Sequence, residues 1–175
     1  MTVTFSAPRV ETERLILRAP EPQDIEIHAA FFASDRSHFV GGPTTAERAW
    51  RIFAMEVGHW VIKGFGRWVL EEKSTGNAVG IVGLWHPLGF PEDELGWDLF
   101  EGATGKGYAT EAARAARAYA YDTLGWTTLT SFIDPKNTAS AAVATRLGAA
   151  YDYNFTHDHF GPVQIWRHPG PEQLG

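Results

Sequence analysis

The sequence predicts an α+β fold of mixed α/β character, built on one central sheet. Three observations lead there. The elements read in the order β α α β β β α β α β β. Strands that can pair locally come first, and a βαβ unit follows. No repeat or linker divides the chain, so residues 1–170 read as one domain and 171–175 as a loose tail.

Each element has a local reason. Residues 14–20 (RLILRAP) alternate and stop at prolines, a first strand. Residues 22–34 align Ile25, Ala29 and Phe32 at helical spacing. The turn GGP at 41–43 precedes Thr44 and Thr45, either of which can cap a helix. Strands GRWVLEEK and AVGIVGLWH flank the turn STGN, and EDELGWDLF is the next strand. Its internal Gly96 predicts a bulge or a close backbone approach. Ala112, Ala116, Tyr119, Ala120 and Thr123 then form one face of a helix, with Gly125 at its C-terminal end. TTLTSFI is a β-branched strand, DPKN turns into TASAAVATRL, and Gly148 closes that helix. Two final strands are expected around a loop, with GP as its turn.

Composition narrows the function classes. A length of 175 residues, 44% hydrophobic and 21% charged, is that of an ordinary soluble domain. The absence of cysteine excludes disulfides, thiolate metal sites and a cysteine nucleophile. The start of the chain lacks a basic segment followed by an apolar run, and no stretch approaches the roughly 20 apolar residues of a membrane span. A cytoplasmic protein with no membrane partner is therefore expected. The net charge of -6 argues against nucleic acid. Between residues 104 and 148, however, Lys106, Arg114, Arg117, Lys136 and Arg146 outnumber Glu111, Asp122 and Asp134. That local excess suits a small ligand carrying phosphate. His157 and His159 would share a strand face, but no third ligand accompanies them, so no metal site is expected.

The stretch GATGKGYATEAARAARAYA (102–120) places a glycine loop before a helix. Such a loop presents unpaired N–H groups and a positive dipole end to an anion. It is not a Walker A loop, because Phe100 stands five positions before Gly105 and Gly107 follows Lys106. It is not a dinucleotide fingerprint either: it lies on the wrong strand and no acid follows about 20 residues on. A tight strand-to-helix connection with no ligand is the remaining alternative.

TGKGYATEA resembles the acyl-CoA loop of the GNAT acyltransferase superfamily, whose usual form is Gln/Arg-x-x-Gly-x-Gly/Ala; here it reads Thr104-x-x-Gly107-x-Ala109. TERLILR, STGNAVGIVGL, ELGWDL and DPKNTASAAVATRLGA resemble the family's other motifs, in order, over residues 13–169. The likeness is greatest to the branch containing the ribosomal-protein N-terminal acetyltransferases. It implies a mostly antiparallel sheet with a parallel βαβ splay, helices on both faces, and transfer of an acetyl group from acetyl-CoA to a primary amine without a metal. The acceptor would be a small molecule or a peptide, and the protein a monomer or homodimer. A second reading is a CoA-binding module without turnover.

The resemblance also implies a site. Backbone N–H groups of Thr104, Gly105, Lys106, Gly107, Tyr108, Ala109 and Thr110 would hold pyrophosphate, with Lys106 adding charge. The family usually carries Gln or Arg where Thr104 stands. The N–H of Leu99 would steady the thioester carbonyl. Asn137 would approach the pantetheine arm or cap its helix, and one residue can do both. Relatives often protonate the thiolate with a tyrosine seven residues later, where this chain has Ala144; Ser140 or a water is the replacement expected here. Glu94 is the candidate base, with Asp98 second, since a buried carboxylate can accept the ammonium proton. Phe39, Trp68, Trp97 and His159 are expected on the acceptor side.

Overall fold

The computed structural model describes residues 5–174. Eight strands form one sheet in the order β1-β2-β3-β4-β5-β6-β8-β7. They are β1 (Val10–Glu11), β2 (Leu15–Arg18), β3 (Arg67–Glu72), β4 (Ala78–Trp85), β5 (Glu94–Leu99), β6 (Thr130–Ile133), β7 (Ala150–His157) and β8 (Gly161–Arg167). Every pairing is antiparallel except β5 with β6. Those two strands run parallel and are in register only at Glu94 and Thr130, so the sheet splits beyond that point.

Helices cover both faces. Strand alternation sends Val69 and Ile81 toward α1 (Ile25–Ala33) and α2 (Ala46–Lys63), where they join Phe31, Phe32, Ala49 and Phe100. Trp68, Leu70, Val82, Leu84 and Leu95 go to the opposite face, against α3 (Tyr108–Asp122). The contact stripe of α3 is alanine: Ala112, Ala113, Ala116 and Ala120 are wholly buried. Such small side chains let the helix axis lie close to the sheet. α4 (Thr138–Arg146) covers β6, burying Ala144 beside Ile133.

Several sequence expectations need correction. The Thr45 cap forms, its hydroxyl accepting the Arg48 N–H at 3.3 Å. Gly96 makes no bulge, for it pairs in register with Gly83; the register shifts fall at Leu70/Glu71 and at Tyr151/Tyr153. Of TTLTSFI only Thr130–Ile133 is strand. The last turn precedes GP, because Gly161 already pairs with His157. Pro171–Leu174 is a helical turn, α5, with the Gly170 N–H bonded to the Gln173 side chain at 2.9 Å. Arg117, which is not among the residues of the expected apolar face of its helix, is nonetheless buried and donates to Leu147 O at 2.6 Å.

Candidate functional site

The split between β5 and β6 opens into a cavity of about 1040 Å³, lined by the end of β5, the glycine loop, the first turns of α3 and one side of α4. A buried chain of hydrogen bonds marks where the strands part. Ser131 Oγ donates to Leu95 O at 2.6 Å and lies 2.9 Å from His168 Nε2. Burial and the nearby Arg117 push the His168 imidazole down to about 3, so it stays neutral.

The loop is shaped by glycine. Gly105 and Gly107 have φ of +81° and +80°, a region costly for other residues. Gly107 is the α3 N-cap and brings no side chain to close the helix end. Among the described residues, no backbone N–H from Thr104 to Thr110 donates a hydrogen bond. A run of free donors at the positive end of a 15-residue helix has the geometry that suits an anion. Arg14 braces it from outside: its Nη1 donates to Lys106 O at 2.8 Å, and its Nε and Nη2 pair with Glu111 at 2.7 and 2.6 Å. Glu111 also accepts from the Thr12 hydroxyl at 2.6 Å. The TER and TEA segments, far apart in sequence, therefore lock together.

Leu99, Thr104, Gly105, Gly107, Tyr108, Ala109, Thr110, Asn137 and Ser140 all line the cavity. Lys106 does not; its ammonium lies 5.7 Å from the Tyr108 ring centroid. Phe100 N–H bonds Val79 O at 3.0 Å, so strand alternation turns the Leu99 N–H away from β4 and into the split. Asn137 caps α4, its Oδ1 accepting the Ser140 N–H at 3.1 Å, which leaves its amide NH₂ available. Ser140 Oγ makes no hydrogen bond among the described residues.

Glu94 lies on the α1/α2 face of β5, where Gly96 leaves space. A Cβ at Gly96 would stand 3.6 Å from Glu94 Oε1 and 3.7 Å from Arg67 Nη1. The Glu94 carboxylate therefore leans along its strand toward Asp98; Asp98 lines the cavity, and Glu94 itself does not. Arg67 pairs with Asp98 Oδ2 at 2.7 Å and grips the wholly buried Glu56 through Nε and Nη2. Three carboxylates thus face one guanidinium. Burial pushes Glu94 up to about 7; Arg67 and the Phe132 N–H oppose the shift, and Asp98 and Glu56 add to it. Asp98, the second candidate base, is committed to Arg67.

Of the four expected acceptor-side residues, Phe39 and Trp97 line the cavity. Trp68 does not: it is completely buried on the α3 face, edge-on to Tyr119, with its indole N–H on Pro8 O at 2.7 Å. Strand parity decides this, because Arg67 and Val69 take the other face. His159 stands outside the cavity, 3.2 Å from Arg48 Nη2. His157 Nδ1 accepts the His159 N–H at 3.0 Å, so the pair organises a turn. Sequence reasoning missed Arg14, Glu56, Arg67 and Arg36. Arg36 Nη2 donates to Leu99 O at 3.1 Å and to the Thr104 hydroxyl. It missed also an aromatic cluster, in which Phe90 stacks on Phe132 at 4.9 Å and His157 meets Phe160 at 4.9 Å. The density of aromatics in residues 153–160 was the one available signal.

Comparison with known proteins agrees with this fold. The family model described as an acetyltransferase (GNAT) domain matches residues 14–150. The crystal structure of an acetyltransferase from Agrobacterium tumefaciens str. C58 is 39% identical, covers 96% of this chain and 98% of its own, and superposes with a TM-score of 0.86. A putative ribosomal-protein-serine acetyltransferase from Vibrio cholerae shares the fold, with a TM-score of 0.75 at 22% identity over 95% of this chain and 98% of its own. The Bacillus subtilis (strain 168) protein YkkB is 34% identical over 98 residues, 51% of this chain; the match spans about half of that protein, 54%.

Proposed function

The chain belongs to the GNAT acetyltransferase family, and from that premise we propose that it transfers acetyl from acetyl-CoA to a primary amine by direct attack on the thioester. The observation that carries the reading is the run of unbonded N–H groups from Thr104 to Thr110 at the floor of a cavity of about 1040 Å³. The cradle holds the diphosphate by backbone donors and helix dipole. The pantetheine arm follows β5 into the split, past the Asn137 amide. The N–H of Leu99 faces the split and donates to the thioester oxygen as negative charge develops there.

The acceptor enters from the α1/α2 side, beside Phe39. Glu94 takes its ammonium proton, directly or through one water. The freed amine attacks the carbonyl carbon; a C–N bond forms and the C–S bond breaks. The nitrogen, cationic after attack, sheds its second proton, and that proton reaches the thiolate through Ser140 or a water, since Ala144 offers none. A carboxylate pushed up to about 7 suits this task, being about half ionised near neutral pH and basic enough to accept the proton.

A panel of primary amines, small molecules and peptides with free N-termini, tests the reading by thiol release from acetyl-CoA, beside thermal stabilisation by acetyl-CoA. Turnover on at least one class is expected. Stabilisation without turnover on any amine would favour a binding module, and no stabilisation at saturating ligand would sink both readings.

A further inference from the structure

The loop departs from the family pattern at one place, Thr104, whose hydroxyl replaces a long polar or cationic side chain. Arg36 reaches that position from another element. It lies in the 3-10 segment Asp35–Val40, which also carries Phe39, and both Arg36 and Thr104 line the cavity. Its Nη2 bridges Leu99 O and the Thr104 hydroxyl. Among the described residues its Nη1 makes no hydrogen bond, and no carboxylate pairs with it.

The other cations near the loop do not serve this position. Arg14 is committed to Glu111 and Lys106 O. Arg117 is buried against Leu147 O. Lys106 lies over Tyr108. Arg114 also lines the cavity, but it stands six residues past Tyr108, about 9 Å along the α3 axis from that first residue. Arg36 alone joins an uncommitted charge to the first residue of the free N–H run.

We propose that Arg36 supplies from the acceptor-side segment the cation that the loop lacks at Thr104, and that it binds the diphosphate of the acyl-CoA. The inference rests on the acyltransferase reading above. A guanidinium held by Thr104 and Leu99 O is pre-placed, so little side-chain freedom is lost when the anion arrives. The same residue then links donor binding to the segment that carries Phe39.

Calorimetric titration tests this without turnover. Arg36→Gln keeps an N–H donor for Leu99 O but removes the charge. It should weaken CoA binding about tenfold, the scale of one hydrogen bond to a charged group. Binding of acetyl-pantetheine, which has no diphosphate, should be unchanged. Arg36→Lys, which keeps the charge, should stay within about threefold of the parent. Unchanged CoA affinity in Arg36→Gln overturns the proposal, as does equal weakening toward acetyl-pantetheine, the mark of a purely structural tie. A Lys variant as weak as Gln removes the role of charge. Failure of the parent protein to bind CoA at all would instead defeat the acyltransferase reading.

Discussion

On the α3 side of the cleft the unpaired polar groups are backbone N–H donors, contributed in sequence by residues 104–110. Across β5 the cleft meets side chains: Asp98 lines it, and behind Asp98 stand Glu94 from the same strand, Arg67 from β3 and the buried Glu56 from α2. The first wall depends on conformation, which two glycines with positive φ secure. The second depends on electrostatic balance among groups that burial strengthens. A backbone site tolerates changes of neighbouring side chains, as at Thr104, but not a new side chain at a glycine. A charged cluster tolerates none of its members being removed alone.

The largest expected effect separates the walls by stability. Arg67→Ala leaves Glu56 and Asp98 without their shared partner and should destabilise the protein by about 3–5 kcal/mol in denaturant titration. A change below 1 kcal/mol would mean that the cluster is well hydrated. The next effect isolates the other wall. Gly107→Glu brings bulk, a strained φ and a like charge into the cradle, and CoA affinity should fall about 1000-fold, ~4 kcal/mol. Folding should survive, because a Cβ at Gly107 meets only the end of the Arg14 side chain, at 3.4 Å. Unchanged affinity by calorimetry would refute the cradle.

Glu94→Gln gives the smallest of the three, about 100-fold in kcat/KM, with the CoA dissociation constant unaltered. The pH dependence has a definite sign. The reactive form is the carboxylate, so kcat/KM of the parent should rise with pH and level off above about 7. Stability runs the other way. The folded carboxyl holds its proton above the ordinary value of 4.5, so this group's contribution is full at low pH and is lost as pH rises toward about 7. The Gln variant should lack that decline, and a pH-independent difference between the two proteins would place the titration elsewhere.

Legibility followed the same division. The loop, α3 and the Asn137 cap were readable because each is a local arrangement of a few consecutive residues. Glu94 could be named from its place on β5, yet its partners could not. Arg67 and Glu56 lie 27 and 38 positions earlier, and nothing in either segment announces that they converge. Trp68 was misplaced for a one-residue reason: on a strand, neighbours face opposite ways. Which face of β3 meets the ligand is set by where α2 and α3 dock.

By itself, then, the sequence determined the order of elements from β2 to β8 and a glycine loop ahead of α3, because these arise from short-range sterics and hydrogen bonding. Tertiary structure alone decided that β5 and β6 separate after one pair, that the Glu94 carboxyl is desolvated beside Arg67 and Asp98 and pushed up to about 7, and that Arg36 stands beside Thr104. Those features depend on distances and local dielectric between groups remote in the chain, and such quantities exist only once the sheet has closed its register and the helices have excluded water from it.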